Sequence, residues 1–267
     1  MASDHLTHPS PQGFSAPGNG QELAANLHLV EQRIDAACRA AGRAREEVRL
    51  LPVSKTKPAA TVRLAYELGL RNFGENRPQE AHEKWQDTQD LAGLRWSVIG
   101  HLQRNKAGLV AQCASEFQAL DSLRVAEALD RRLQVLGRSL DVLVQVNTSG
   151  EDSKFGLPPE EVAAFIPQLK QFSGLRVRGL MTLALFSHDK AAVRQCFIKL
   201  RTLRDQLRQN DRALTLPDAD LAELSMGMSG DFEVAIAEGA TVVRVGQAIF
   251  GSRQQTAGHY WPGVKEN

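Results

Sequence analysis

Several features that would place a chain in a class at sight are scarce or missing in these 267 residues. There are 3 cysteines, Cys38, Cys113 and Cys196, far apart and in no metal-ligand spacing. That excludes a disulfide scaffold and a cysteine-based metal site, and it points to free structural thiols in a reducing cytosol. No apolar run approaches the roughly 20 residues of a membrane span. Neither charge dominates: 32 Lys and Arg face 31 Asp and Glu, for a formal net charge of +1, and the signs are interspersed. Neither nucleic acid nor an anionic membrane is expected as a bulk partner. The first 20 residues lack the basic start and apolar stretch of a signal peptide. What remains is the composition of a soluble globular protein, 42% hydrophobic and 24% charged. Residues 1–20, rich in Gly, Pro and Ser, read as a disordered tail, 21–253 as one domain, and 254–267 as a second tail.

From Gln21 onward the chain alternates. Leu23, Leu27, Val30, Ile34 and Cys38 fall at helical spacing and Gly42 ends the run, an amphipathic helix ahead of the first strand. Short apolar runs then predict strands over 48–53, 71–73, 95–99, 117–120, 140–146, 177–182, 223–226 and 241–245. Helices are expected over 58–68, 79–86, 124–136, 159–172, 190–209 and 232–237. Continuous apolar strands separated by helices imply a parallel sheet covered on its outer side. Eight such units closing on themselves make a (βα)8 TIM barrel, here with an extra N-terminal helix. An open doubly wound sheet is the alternative, but it calls for a Gly-rich turn after strand one, where this chain has Ser54-Lys55-Thr56.

In a barrel the chemistry lies at the C-terminal strand ends. Those ends carry Lys55, Gly74-Glu75-Asn76, Gly100-His101, Asp121, Asn147, Met181-Thr182, Ser225 to Ser229, and Arg244-Val245-Gly246. Taken singly, each has an ordinary reading: Lys55 and Lys57 as solvated loop lysines, Asp121 and Asn147 as caps or turn formers, the methionines as core. Together they read differently. A lysine at a strand end loses hydration, and its amine becomes a usable nucleophile. Ser225, Gly227, Ser229 and Gly246, after strands seven and eight, form the usual barrel phosphate site. Pyridoxal 5′-phosphate fits both ends, its aldehyde at the lysine and its phosphate in the cradle, with Arg244 beside the pyridine nitrogen.

Six motifs carry a family resemblance. They are Val53-Ser54-Lys55-Thr56-Lys57-Pro58, Phe73-Gly74-Glu75-Asn76, Ile99-Gly100-His101-Leu102-Gln103-Arg104-Asn105-Lys106, Gly179-Leu180-Met181-Thr182, Leu224-Ser225-Met226-Gly227-Met228-Ser229, and Val243 to Gly251. In this order and spacing they resemble the pyridoxal phosphate homeostasis proteins, a family similar to the barrel domain of alanine racemase. The resemblance runs from about Gln21 to Arg253. It implies pyridoxal phosphate held as an internal aldimine on Lys55, not Lys57. It implies Arg244 facing the pyridine nitrogen, Ser225, Gly246 and Gln247 on the phosphate, and Asn76 and Asn147 lining the ring site. Two positions depart from the family: Ser97, where many members have histidine, and Arg77-Pro78, where tyrosine or valine is frequent.

The cofactor supports racemisation, transamination or decarboxylation in other proteins. Here Arg244, as a guanidinium, donates to the ring nitrogen, keeps it unprotonated and weakens the ring as an electron sink. Racemisation also needs an acid or base on the opposite ring face, which the racemase takes from a tyrosine on a second domain of a partner subunit. After Gly251 only 252–267 remain, and neither Tyr66 nor Tyr260 has an evident place in the site. The expectation is therefore a non-catalytic binder that buffers and hands over pyridoxal phosphate through transient contact with apo-enzymes. It is expected to be cytoplasmic and, without the racemase-type interface, monomeric. An amino-acid racemase of unknown substrate is the alternative.

Overall fold

A computed structural model describes residues 17–151, 154–209 and 220–251. Most of the 1–20 tail, the 254–267 tail and Tyr260 lie outside the described residues. Asn19 opens the first helix: its side-chain oxygen accepts from the Glu22 N–H at 3.0 Å and caps helix α1 (Gly20–Ala40). The stripe Leu23, Val30, Ile34 and Cys38 is buried against the rest of the molecule.

Among the described residues, eight strands follow: β1 (Arg49–Pro52), β2 (Asn72–Glu75), β3 (Arg95–Val98), β4 (Ala114–Leu120), β5 (Leu140–Gln145), β6 (Leu175–Met181), β7 (Glu223–Ser225) and β8 (Val242–Val245). They are parallel, in the order β1-β8-β7-β6-β5-β4-β3-β2. The ring turns back on itself. β1 pairs with β8 with Leu51 opposite Arg244, and an isolated bridge joins Val53 to Gly74 beyond β1 and within β2. There the Ser54 N–H donates to the Gly74 carbonyl at 3.1 Å. The result is a nearly closed (βα)8 barrel, as the strand pattern predicts. Helices α2 (Ala59–Glu67), α3 (Pro78–Asp87), α5 (Leu123–Leu136), α6 (Pro159–Phe165), α7 (Lys190–Arg208) and α8 (Phe232–Ala237) connect the strands. Ser122 and Asp189 cap α5 and α7 with their side chains.

Four features differ from the sequence reading. A helix α4 (Ala107–Cys113) lies between β3 and β4, and a short α9 (Gln247–Phe250) follows β8. β4 starts at Ala114, three residues before the apolar run, so Glu116 lies within the strand. The helix expected over 159–172 changes to a 3-10 helix at Ile166–Gln171, because Pro167 lacks the N–H that would continue it.

Candidate functional site at the C-terminal end of the barrel

Lys55 is half-buried and sits in the turn that leaves β1. Two neighbours of that lysine are pinned from below. Ser54 is buried, and its hydroxyl donates to Glu75 Oε1 at 2.6 Å. Lys84 Nζ, in α3, donates to the Ser54 carbonyl at 2.8 Å, to Glu75 Oε1 at 2.6 Å and to Glu80 Oε1 at 2.8 Å. Glu80 in turn accepts the Thr56 N–H at 2.6 Å. That bond holds Thr56 at φ 64°, a left-handed conformation rare for a β-branched residue. Burial drives the Glu75 carboxyl up to about 7, against the pull of Lys84. Lys57 closes the turn, its N–H donating to the Ser54 carbonyl at 2.9 Å. It too is half-buried, and burial pushes its ammonium down.

β8 lies beside β1, so the chain after Val245 emerges next to Lys55. Val53 N–H donates to the Val245 carbonyl at 2.9 Å. A Cβ on Gly246 would lie 3.0 Å from the Val53 carbonyl oxygen, so glycine is what lets the β8 turn close against the β1 end. The β7 loop reaches the same turn: Ser229 Oγ accepts the Ala248 N–H at 3.4 Å. Gln247 is exposed at the start of α9, and Asn26 of α1 anchors that helix through the Ile249 carbonyl at 3.1 Å.

Arg244 is buried in the barrel below this turn, 3% exposed. Its Nη1 donates to Ser225 Oγ and its Nη2 to the Thr182 carbonyl, each at 2.8 Å. Burial pushes the guanidinium down to about 10, with Asp231 and Glu116 opposing, so it is protonated at neutral pH. Ser225 is fully buried, and its hydroxyl gives its proton to Gln118 Oε1 at 2.6 Å. The structure thus joins Ser225 to Arg244 inside the barrel, whereas Ser229 is the serine at the β8 turn.

The other two expected residues stand at neighbouring strand ends. Asn76 follows β2, and a Cβ on Gly100 would come 2.2 Å from its carbonyl oxygen, so the β2 and β3 ends are packed backbone to backbone. Asn147 follows β5 and folds its own loop. Its Nδ2 donates to the Glu151 carbonyl at 2.9 Å, and its Oδ1 accepts from Ser149 Oγ at 3.0 Å and the Gly150 N–H at 3.2 Å. At the rim His101 stacks on Phe155, ring centroids 3.9 Å apart, with Nδ1 3.5 Å from Asp121 Oδ2. Thr182, Gln118 and Glu116 reach the site although sequence reasoning did not choose them. Thr182 had a signal, its place at a strand end, while the other two had none. Among the described residues no group of His, Cys, Asp or Glu could hold a metal ion.

An amine, a buried guanidinium and a Gly/Ser turn on adjoining strand ends suit a small planar ligand bearing a carbonyl and a phosphate. The fold and site define a class, single-barrel proteins of the alanine racemase N-terminal type. The model of that family, "Alanine racemase, N-terminal domain", matches residues 25–254. Relatives narrow the class further, and the chain belongs to the pyridoxal phosphate homeostasis protein family. The protein of that name from Pseudomonas aeruginosa is 43% identical over 235 residues, covering 88% of this chain and 97% of its own. The one from Escherichia coli K12 is 39% identical over 234 residues, covering 87% and 97%. A structure of PipY from Synechococcus elongatus PCC7942 with PLP bound superposes with a TM-score of 0.73, is 38% identical, and covers 86% of this chain and 100% of PipY. Alanine racemase of Clostridium difficile, 16% identical with a TM-score of 0.65, covers 87% of this chain and 56% of the racemase, and it shares the fold.

Proposed function

We propose that the protein binds pyridoxal 5′-phosphate through Lys55 and serves its intracellular homeostasis by holding and releasing it, without turning over a substrate. The observation that supports this best is the β1–β8 pairing, with Leu51 opposite Arg244. It sets Lys55 and Gly246 on adjacent strand ends with a buried, protonated guanidinium beneath. When bound, the cofactor supplies an aldehyde that condenses reversibly with an amine. Lys55 provides that amine from a turn pinned at Ser54 and Thr56, while Lys57 serves to close the turn. Arg244 donates to the ring nitrogen. Gly246, Gln247 and Ser229 hold the phosphate, and Ser225 orients Arg244. Asn76 borders the ring, and Asn147 does so through the loop it folds.

The names of the relatives support a carrier. So does Tyr66, whose hydroxyl donates to the Ala92 carbonyl at 2.9 Å, an exposed contact on α2 that leaves it no place as an acid over the ring. We further propose a monomer that contacts apo-enzymes transiently in a reducing cytoplasm, in keeping with the buried free thiols of Cys38, Cys113 and Cys196. No helix of the described residues is long and apolar enough to cross a membrane.

The test is spectroscopic. Protein loaded with pyridoxal phosphate should show a near-visible band that borohydride removes, leaving the added mass on the peptide containing Lys55. Lys55→Ala should abolish the band and Lys57→Ala keep it; the reverse would overturn the assignment. Incubation with L-amino acids in D₂O should give neither Cα–H exchange nor D-product, and either would overturn the carrier reading.

A further inference from the structure

A row of hydrogen bonds crosses the barrel interior from its N-terminal face to Arg244. It begins at Arg49, the first residue of β1, whose Nη2 donates to Glu116 Oε1 at 2.7 Å and to Glu223 Oε2 at 3.1 Å. Glu116 is buried, and its Oε2 accepts from Ser97 Oγ at 2.6 Å and from Gln118 Nε2 at 2.7 Å. Gln118 and Ser225 complete the path to Arg244 at 2.6 Å and 2.8 Å. Ser97, the departure from the family pattern, belongs to this row.

The direction of every proton in the row follows from chemistry. A guanidinium only donates and a carboxylate only accepts. Burial pushes the Glu116 carboxyl up, but the Arg49 charge and the hydrogen bonds from Arg49, Ser97 and Gln118 outweigh it and leave the group below its ordinary value. Glu116 is therefore a carboxylate, and Gln118 must turn its NH₂ toward it and its carbonyl toward Ser225. Ser225 has one proton, gives it to Gln118, and offers Arg244 a lone pair. Were Glu116 an amide, the row could reverse: Gln118 would turn its NH₂ to Ser225, and the Ser225 proton would lose its acceptor.

We infer that Glu116, acting through Gln118 and Ser225, is the positioning residue that fixes Arg244 in the orientation from which it donates to the cofactor ring. This rests on the function proposed above. Asp231 at the start of α8 and Glu116 across the barrel are the charges that face Arg244. Arg49 and Glu223 face Glu116.

The experiment compares wild type, Glu116→Gln, Gln118→Met and Ser97→Ala, each loaded with pyridoxal phosphate. Retention is followed on dialysis, the near-visible band is titrated with pH, and folding is checked by circular dichroism. Glu116→Gln and Gln118→Met should still take up cofactor on Lys55, with retention weakened about tenfold, the effect of losing one buried charged hydrogen bond. Their bands should titrate at a different pH from wild type. Ser97→Ala, which leaves the Gln118 amide oriented, should stay within about threefold. Wild-type retention and titration in a folded Gln118→Met would overturn the inference alone. Failure of the wild type to take up cofactor would overturn the proposed function, and the inference with it. If neither row variant folds, the wild type decides. The side-chain amide resonances of Gln118 should shift on addition of pyridoxal phosphate, and unmoved resonances overturn the inference.

Discussion

Replacing Lys84 with methionine tests the scaffold under Lys55. Lys84 is 7% exposed in its side chain and Glu75 is fully buried, so the substitution removes a buried cation from a buried carboxyl. At pH 5.5 the Glu75 carboxyl, driven up to about 7 by burial, is protonated in both proteins. The variant then loses the bonds to Ser54, Glu75 and Glu80, at a cost of about 1–3 kcal/mol. Above pH 7 wild-type Glu75 ionises against Lys84, while in the variant it has no counter-charge and stays protonated. The variant keeps binding a proton that its unfolded chain has released, so its deficit grows by about 1.4 kcal/mol for each pH unit above about 7. By pH 8.5 it should reach about 3–5 kcal/mol, the usual effect of breaking a buried pair. In the wild type the sign is the same but the window is lower. The raised carboxyl contributes fully below about 4.5, and its contribution is lost as pH rises through about 7. Urea unfolding of both proteins at pH 5.5, 7 and 8.5 measures the differences. A deficit that does not change with pH would refute a buried, proton-binding Glu75. Cofactor retention should fall in step, since the Ser54 carbonyl loses its donor and Glu80, which holds Thr56, loses its partner.

Three further outcomes follow from single contacts. Gly100→Ala drives a methyl into the Asn76 carbonyl, so it should lower stability by about 1–3 kcal/mol in chemical denaturation and weaken cofactor retention. Ser229→Ala should weaken retention of pyridoxal phosphate about tenfold while leaving pyridoxal, which lacks the phosphate, unaffected in a spectral titration. Thr56→Gly relieves a left-handed β-branched residue, so it should raise stability by about 1 kcal/mol in thermal melts after the entropy of glycine is subtracted.

The strand count and the place of Lys55 were legible because a parallel barrel buries both faces of its strands, and continuous apolar runs such as 140–146 announce that. The start of β4 was not. Ala114-Ser115-Glu116 reads as a polar connection, and its place in the wall depends on Arg49 and Ser97, which are remote in sequence and make burial of Glu116 tolerable. The same blindness affects the two serines at 225 and 229. Sequence sets both near the end of strand seven, and only the three-dimensional contacts separate the one bonded to Arg244 from the one at the β8 turn. Helix α4 is seven residues long and too short to show a helical period.

The junction between β1 and β2 gives this barrel an unusual kind of fastening. Backbone there supplies the Val53–Gly74 bridge, and the Ser54–Glu75–Lys84–Glu80 cluster joins the same two strand ends through side chains. Backbone amides do not titrate in the physiological range, but the Glu75 carboxyl, driven up to about 7 by burial, does. Acidity therefore acts at this junction more than at the extended ladders, such as β4 with β5, and Lys55 rides on it. A designer seeking a version that releases its cargo at a chosen pH would alter these four side chains and leave the seven other junctions alone.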